Sequence, residues 1–348
     1  MIGELVRPAI RALKPYSSAR DEFSGKASVF VDANENPYNA PLNRYPDPLA
    51  LDLKGHIAAI KGVEAKQIFT GNGSDEAIDL LIRIFCEPGK DEILMFEPTY
   101  GMYQVCAAMN DVACSTVPLD TGFQPDPEKI LGKAGDRSKL LFLCSPNNPS
   151  ANSYDEQAIL LLLRSFRGLV VLDEAYIDFS AGPGFLQRLN EFPKLVILQT
   201  LSKAWGLAGV RVGMAFAQEE IIHYMNRVKY PYNVNVLSQK KALEALENPG
   251  KKDAWVQAIL MERTRLESEL NGMPAVEKVF PSDANFLLVK FRKVQQVFHF
   301  LVERGIVVRD RSNMSLCEGC LRITVGTEKE NTQLLETLRA FSNYENKL

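Results

Sequence analysis

At 348 residues the chain is long enough for about two domains, with a core that needs neither disulfides nor structural metal. Hydrophobic residues make up 46% and charged residues 24%, the balance of an ordinary soluble globular protein. A net charge of −3, with both signs mixed along the sequence, offers no electrostatic handle to nucleic acid or an anionic membrane, so neither is expected as a partner.

No segment reaches the roughly 18 consecutive apolar residues of a membrane span. The N-terminal residues carry Glu4, Arg7 and two prolines where a signal peptide has its apolar stretch, so a cytoplasmic location is expected. The six cysteines then read as reduced thiols. Cys317 and Cys320 form a C-x-x-C without a second pair, which reads as two small residues in a turn, and no metal is expected.

The first 45 residues, rich in Pro, Asn and Tyr, read as an arm with little regular structure that packs with a smaller C-terminal domain. From Gln67 onward, short apolar runs alternate with helical patterns. Candidate strands cover Gln67–Thr70, Glu92–Phe96, Val112–Val117, Lys139–Cys144, Leu169–Leu172, Leu195–Gln199 and Val212–Ala217. Helical patterns lie at Asp75–Phe85, Tyr100–Met109 and Tyr154–Phe166. That alternation predicts an α/β fold over residues 46–235, a mostly parallel seven-stranded sheet covered by helices.

After about Asn235, helical stretches near Ser238–Glu247 and Lys252–Leu270 lead into strands near Phe286–Lys290, Val307–Arg309 and Leu321–Val325. Helices near Val294–Arg304 and Glu328–Phe341 complete the pattern. Residues 236–348 are therefore expected to form a smaller α+β domain, with an active-site cleft between the two.

In parallel sheets, ligands bind beyond the carboxyl ends of the strands, and the polar motifs here follow predicted strands. Gly71-Asn-Gly73-Ser74-Asp75-Glu76 lies between a strand and a helix, where free backbone N–H groups suit a cofactor phosphate. Glu76 stands where a dinucleotide fingerprint needs its third glycine, which disfavours a nicotinamide dehydrogenase. Asp75 fits poorly beside a phosphate, so its side chain is expected to point away while its N–H contributes. Tyr100, in Pro98-Thr-Tyr100, either stacks on a flat ring or packs in the core. Asn148, in Cys144-Ser-Pro-Asn-Asn148-Pro149, is biased to extended geometry by Pro149. It is either a turn residue or a partner for a phenolate oxygen.

Leu169-Val-Val-Leu-Asp173-Glu-Ala-Tyr176 places a carboxylate at the end of a buried strand. Asp173 there is a helix cap, an ion-pair partner or the counter-ion of a pyridine nitrogen, since a protonated ring is the better electron sink. Tyr176 could donate to the phenolate oxygen of the same cofactor. Finally, Thr200-Leu-Ser-Lys-Ala-Trp-Gly-Leu-Ala-Gly-Val-Arg211 begins where an apolar strand ends. Alone, Lys203 reads as a snorkelling surface lysine. Among hydroxyls, glycines and Arg211 it reads instead as the lysine bonded to an aldehyde cofactor, with Thr200, Ser202 and Arg211 holding a phosphate.

Taken in order, these segments resemble the fold-type I pyridoxal-phosphate (PLP) aminotransferases, and more narrowly the histidinol-phosphate aminotransferases. The resemblance covers nearly the whole chain. It also includes Pro15-Tyr16-Ser-Ser-Ala-Arg20, Asn34-Glu-Asn-Pro37, Arg44-Tyr-Pro-Asp-Pro48, Pro98-Thr-Tyr-Gly-Met-Tyr103 and Leu321-Arg-Ile-Thr-Val-Gly326. It implies that Lys203 carries the cofactor, Asp173 binds its ring nitrogen, and Tyr176 and Asn148 bind its phenolate oxygen while Tyr100 stacks on the ring. It implies that Ser74, Asp75, Thr200, Ser202 and Arg211 hold the phosphate, joined by Tyr45 from a second subunit of a homodimer. Arg309 and Arg322 would meet substrate anions, with Tyr16 and Asn34 nearby.

One departure is Ser150-Ala151, where the family usually has Thr-Gly; alanine resists positive φ, which bears on the turn beside Asn148. Rival readings are an aromatic-amino-acid aminotransferase or an O-phosphothreonine decarboxylase on the same scaffold. A cofactor-free binding or regulatory protein is the rival of another class, and Lys203, Asp173, Tyr176 and Arg211 together argue against it.

Overall fold

Strands rich in Val, Ile and Leu, buried on both faces except at one edge strand (Ala113–Pro118), make the first sheet. In the computed structural model, which describes residues 2–14 and 28–345 (side chains to Phe341), they are β1 (Ile68–Asn72), β2 (Glu92–Glu97), β3 (Ala113–Pro118), β4 (Ser138–Cys144), β5 (Leu169–Asp173), β6 (Leu195–Thr200) and β7 (Val212–Phe216). Their order is β1-β7-β6-β5-β4-β2-β3. Pairing from β3 to β6 is parallel, whereas β7 runs antiparallel to both β1 and β6.

Successive residues of a strand face opposite sides, and β5 shows the consequence. Leu169 and Val171 join the cluster containing Ile78, Leu81 and Phe142, while Val170 and Leu172 join the cluster containing Leu53, Ile197 and Trp205. Helices supply the outer layer on each side. The helix Ser74–Phe85 buries Ile78, Leu81, Ile82 and Phe85 against one face.

A second sheet comprises β8 (Val276–Val279), β9 (Phe286–Phe291), β10 (Arg309–Asp310) and β11 (Cys320–Thr324), ordered β10-β11-β9-β8. On β9, Leu287, Val289 and Phe291 pack with Leu266, Val297 and Leu338. Phe286 and Leu288, on the opposite face, enter the cluster that contains Leu143, Leu172 and Trp205. That shared apolar layer presses the edge of the small sheet toward the strand ends of the large one. Cys317 and Cys320 are buried in the turn that opens β11, where the Cys320 N–H donates to the Cys317 carbonyl at 2.9 Å.

The structure departs from the sequence reading in several places. Helices Leu51–Lys61, Pro127–Lys133 and Glu219–Val228, and strand β8, are additional elements. For Pro127–Lys133 a signal was available, since Asp126 caps it through the Lys129 N–H at 3.1 Å and Pro127 opens it. The strand placed at Val307–Arg309 begins instead at Arg309, because Val307 is 86% exposed and has no core to enter. The arm starts with helices Ile2–Leu5 and Pro8–Ala12. Ile2 and Val6 are buried with Ile78, Ile221 and Met225, and the Arg7 N–H donates to the Ile84 carbonyl at 3.0 Å. This part of the arm therefore packs on helices covering the large sheet, not on the smaller domain as expected.

Ala151 adopts φ +70°, so the turn beside Asn148 keeps a left-handed residue without a glycine. Its N–H donates to the Asn147 carbonyl at 2.8 Å and its carbonyl accepts the Asp283 N–H at 2.7 Å. Replacing it with glycine would relieve about 1–2 kcal/mol of strain. It would also lose a buried methyl worth about 0.8 kcal/mol and add about 0.5–1 kcal/mol of chain entropy. Ala151→Gly should therefore shift stability by less than about 1 kcal/mol in denaturant unfolding. Ala151→Val, β-branched and overpacked, should cost at least about 2 kcal/mol.

Candidate active site

The ends of β1, β4, β5 and β6 lie along one edge of the large sheet. Because β7 is antiparallel, its start lies there too, and it brings Arg211 to the segments that follow the other strands. Together with Tyr100, which follows β2, these segments line a pocket beyond the strand ends, where the ligands of such sheets bind. Among its walls are Ser74, Asn148, Asp173, Tyr176, Lys203 and Arg211.

Asp173, the last residue of β5, is 3% exposed. Its Oδ2 accepts the Tyr103 hydroxyl at 2.7 Å and its Oδ1 accepts the Ala175 N–H at 3.0 Å. Burial pushes the carboxyl up to about 6, while those two hydrogen bonds hold it down. Tyr103 is itself buried, stacked on Phe142 with ring centroids 4.7 Å apart, so the ring that carries this donor is fixed.

Lys203 sits in the turn after β6, its ammonium 5.4 Å from the centroid of the Tyr176 ring. Among the described residues it has no hydrogen-bond or ion-pair partner. Burial, followed by the nearby Arg322 charge, lowers its pKa below the ordinary lysine value, with Asp173 and Asp75 opposing. The amine is therefore easier to deprotonate than a surface lysine, which suits a nucleophile.

The far end of the pocket depends on two glycines. A Cβ on Gly73 would stand 2.5 Å from Arg211 Nη2, and one on Gly213 would stand 2.1 Å from the Ser74 nitrogen. The Gly73 N–H donates to the Arg211 carbonyl at 2.9 Å, which locks the two segments together. Arg211 itself has φ +58°, a conformation that costs a non-glycine residue about 1–3 kcal/mol. It presents a guanidinium beside the start of the helix Ser74–Phe85, where backbone N–H groups are free for an anion. Thr200 Oγ1 accepts the Ser202 N–H at 3.0 Å and orders the loop between them.

Asp75 corrects the sequence reading. Its side chain faces into the pocket: Oδ1 accepts the Tyr100 hydroxyl at 3.0 Å, and Oδ2 lies 3.4 Å from Arg211 Nη2. The two donors come from segments remote in sequence, and together they outweigh the tendency of an acid at that position to turn outward. Tyr100 meets Tyr103 edge-on, centroids 5.5 Å apart.

From the small sheet, Arg322 Nη1 donates to Asn148 Oδ1 at 2.5 Å. Its guanidinium lies 5.3 Å from the centroid of Phe286, whose ring meets Tyr176 at 5.1 Å. Arg309 pairs across the ladder with Arg322 but is exposed. Asn34 is exposed at φ +54°. Tyr45 stacks on Tyr232 with centroids 4.5 Å apart. None of Arg309, Asn34 and Tyr45 lines the pocket, and Tyr16 lies outside the described residues. The reading missed Tyr103, although its i,i+3 spacing from Tyr100 places both rings on one side of a helical turn. It also missed Cys144 and Ala175, which complete the wall around Asp173.

The residues present fit PLP. A buried carboxylate would meet its ring nitrogen, an unpartnered amine its aldehyde, and the glycine-lined cradle with Arg211 its phosphate.

The profile of the family described as aminotransferase class I and II matches residues 27–338. A histidinol-phosphate aminotransferase of Parabacteroides distasonis is 57% identical over 338 residues, covering 97% of this chain and 98% of its own. The crystal structure of the histidinol-phosphate aminotransferase from Clostridium acetobutylicum superposes with a TM-score of 0.80 at 26% identity, over 87% of this chain and 92% of that one. That of a histidinol-phosphate aminotransferase from Sinorhizobium meliloti, in complex with pyridoxal-5'-phosphate, gives 0.78 at 23% identity over 86% and 83%.

Tyr103→Phe removes a donor that favours the Asp173 carboxylate, so the carboxyl should rise further above 6. The loss of one charge-assisted bond, about 1.5–3 kcal/mol, corresponds to on the order of one pH unit or more. In apoprotein titrated with PLP, affinity should fall as pH drops through the Asp173 range, and the variant's acid limb should lie at higher pH. Superimposable limbs would contradict the role given to Tyr103.

Proposed function

Since the chain belongs to the class I and II aminotransferases, we propose that it is a PLP-dependent histidinol-phosphate transaminase of histidine biosynthesis. It would exchange an amino group between histidinol phosphate and 2-oxoglutarate, giving imidazole-acetol phosphate and glutamate, or the reverse. The observation that carries the reading is the placement of Lys203 and buried Asp173 in one pocket, with Arg211 at its far end and Arg322 bonded to Asn148 in its wall. Relatives of that name at 57% and 50% identity over nearly the full length support the substrate.

Bound PLP supplies an aldehyde carbon and an electron-withdrawing ring. The protein's own groups do the rest. Lys203 Nζ, with its lowered pKa, would be the amine that holds the cofactor's aldehyde and, once free, the base that moves a proton at the substrate carbon. Asp173 would hold the ring nitrogen protonated, and Asn148 and Tyr176 would hold its phenolate oxygen. Tyr100 covers the ring, while Gly73, Ser74, Asp75, Thr200, Ser202 and Arg211 form the phosphate cradle. Arg322 can grip either a carboxylate or a phosphate with its two-pronged fork, which one cleft must do in the two halves of the reaction.

Residues 46–235 form the cofactor domain and 236–348 the smaller domain in this reading, supported by the separate core beneath β9. The working unit is a homodimer in the cytoplasm, with Tyr45 completing a neighbour's phosphate site. Exposure of Tyr38, Leu42, Tyr45 and Tyr230, each more than half open to solvent, supports a second copy over this surface. No helix among the described residues is long and apolar enough to cross a membrane.

Two measurements test the proposal. Borohydride treatment of the yellow holoprotein should fix the cofactor on the peptide containing Lys203, and label on another lysine would overturn that assignment. In a panel of amino donors, histidinol phosphate should react at least tens-fold better than histidinol, because charge-assisted bonds of about 1.5–3 kcal/mol each are lost without the phosphate. Equal rates, or a preference for phenylalanine or tyrosine, would move the assignment to an aromatic aminotransferase.

A further inference from the structure

Two loops at the strand ends carry groups assigned to one cofactor ring, and a single buried side chain ties those loops together. Tyr100 follows β2 and Asn148 follows β4, and both line the pocket. The parallel ladder between these strands ends at Met95 opposite Phe142, so residues 98–100 and 145–148 run on past its hydrogen bonds. Beyond that point, among the described residues, the hydrogen bonds joining the two loops come from Asn147. Its Nδ2 donates to the Pro98 carbonyl at 3.0 Å, and its Oδ1 accepts the Thr99 hydroxyl at 3.0 Å. Nδ2 also donates to Ser150 Oγ at 2.7 Å.

An amide side chain offers two N–H donors and one carbonyl oxygen, and here all three are used inside the protein. Asn147 and Ser150 are fully buried, and Thr99 is buried with them. The Asn147 N–H donates to the Asn152 carbonyl at 2.8 Å, and its carbonyl accepts the Ala151 N–H at 2.8 Å. These backbone bonds fix the shape of the turn, whereas the side-chain bonds fix its place against the loop of Tyr100. Ser150, where the family usually has threonine, keeps the hydroxyl oxygen that Asn147 uses. The neighbouring amide is oriented too. Arginine only donates, so the bond from Arg322 to Asn148 Oδ1 leaves Nδ2 as the end open to an anionic oxygen.

Resting on the transaminase reading, we infer that Asn147 is a positioning residue for PLP. It holds Asn148 Nδ2 where it meets the phenolate oxygen and Tyr100 where it covers the ring, with Thr99 and Ser150 as its supports. A buried network with every member satisfied is stiff, and removing one partner strands the others away from water. A donor aimed at the phenolate oxygen stabilises its negative charge and loosens its hold on the proton of the nitrogen that joins PLP to Lys203. Loss of aim therefore raises the pH at which the bound cofactor changes absorbance. A role confined to stability lowers Tm and leaves that pH in place.

The test measures both quantities in cofactor-loaded wild type, Asn147→Leu, Thr99→Val, Asn148→Ala and the double variant Asn147→Leu/Asn148→Ala. Asn148→Ala should raise the transition by about one pH unit, a tenfold change in proton affinity. Asn147→Leu should raise it by at least about half as much, and the double variant no further than Asn148→Ala alone, because the first residue acts through the second. Asn147→Leu within about 0.2 pH unit of wild type, or a double variant that sums the two shifts, would overturn the inference. If Asn147→Leu does not fold, Thr99→Val decides, since it keeps the shape and removes one bond. It must raise the pH in the wild-type background and not in Asn148→Ala. A loaded wild type whose transition is unmoved by Asn148→Ala would remove Asn148 from the phenolate and Asn147 with it. A wild type that takes up no PLP would overturn the transaminase reading itself.

Discussion

The structure depends on a carboxylate kept out of water. Asp173 lies at the end of β5 with only a tyrosine hydroxyl and one backbone N–H for company. An ionised carboxylate without a cation in such a place is unfavourable, and its raised pKa expresses that cost. The same desolvation makes the site strongly attractive to a ring that can carry a proton, because a charge pair gains more in low dielectric than in water. The apolar residues of β4 to β6, the Tyr103–Phe142 stack and the helix Met102–Met109 thus do more than stabilise the fold. They create the low-dielectric environment that raises the Asp173 carboxyl and that the proposed function uses to hold a ring nitrogen protonated.

The sheet topology places the remaining groups. Parallel strands put the residues that follow them on one edge, and the single reversed strand returns Arg211 to that edge. Close approach between the start of β7 and the turn before Ser74 then needs Gly213, where a Cβ would meet the Ser74 backbone, and Gly73 takes φ +80° in that turn. The small sheet adds Arg322 across the cleft through its bond to Asn148. That bond ties the small sheet to a loop in the wall of the candidate site.

Much of this was legible in the sequence, for physical reasons. Short apolar runs rich in β-branched residues and bounded by turn residues favour strands buried on both faces, and their ends predict where polar motifs converge. Asp173, Lys203, Arg211 and Ser74 were readable because each stands directly at such an end. What was not legible depends on contacts distant in sequence. Asp75 turns inward because Tyr100 and Arg211 supply donors there. Tyr103 looked like one more apolar residue of a helix. The helix Leu51–Lys61 buries only Leu53, Lys54 and Ile57 and leaves little periodic signal. Arg309 ends an apolar run in the sequence, and only the fold shows that it is exposed and stands outside the pocket.

The central claim, that the Asp173 carboxylate meets a protonated ring nitrogen, is most directly tested by a binding cycle. Apoprotein and its Asp173→Asn variant are each titrated at neutral pH with PLP and with the analogue that carries carbon in place of the ring nitrogen. If the charge pair forms, wild type should prefer PLP by on the order of a hundredfold, since close buried charge pairs couple by about 1.5–7 kcal/mol, and the preference should vanish in Asp173→Asn. The same preference in both proteins would contradict the account.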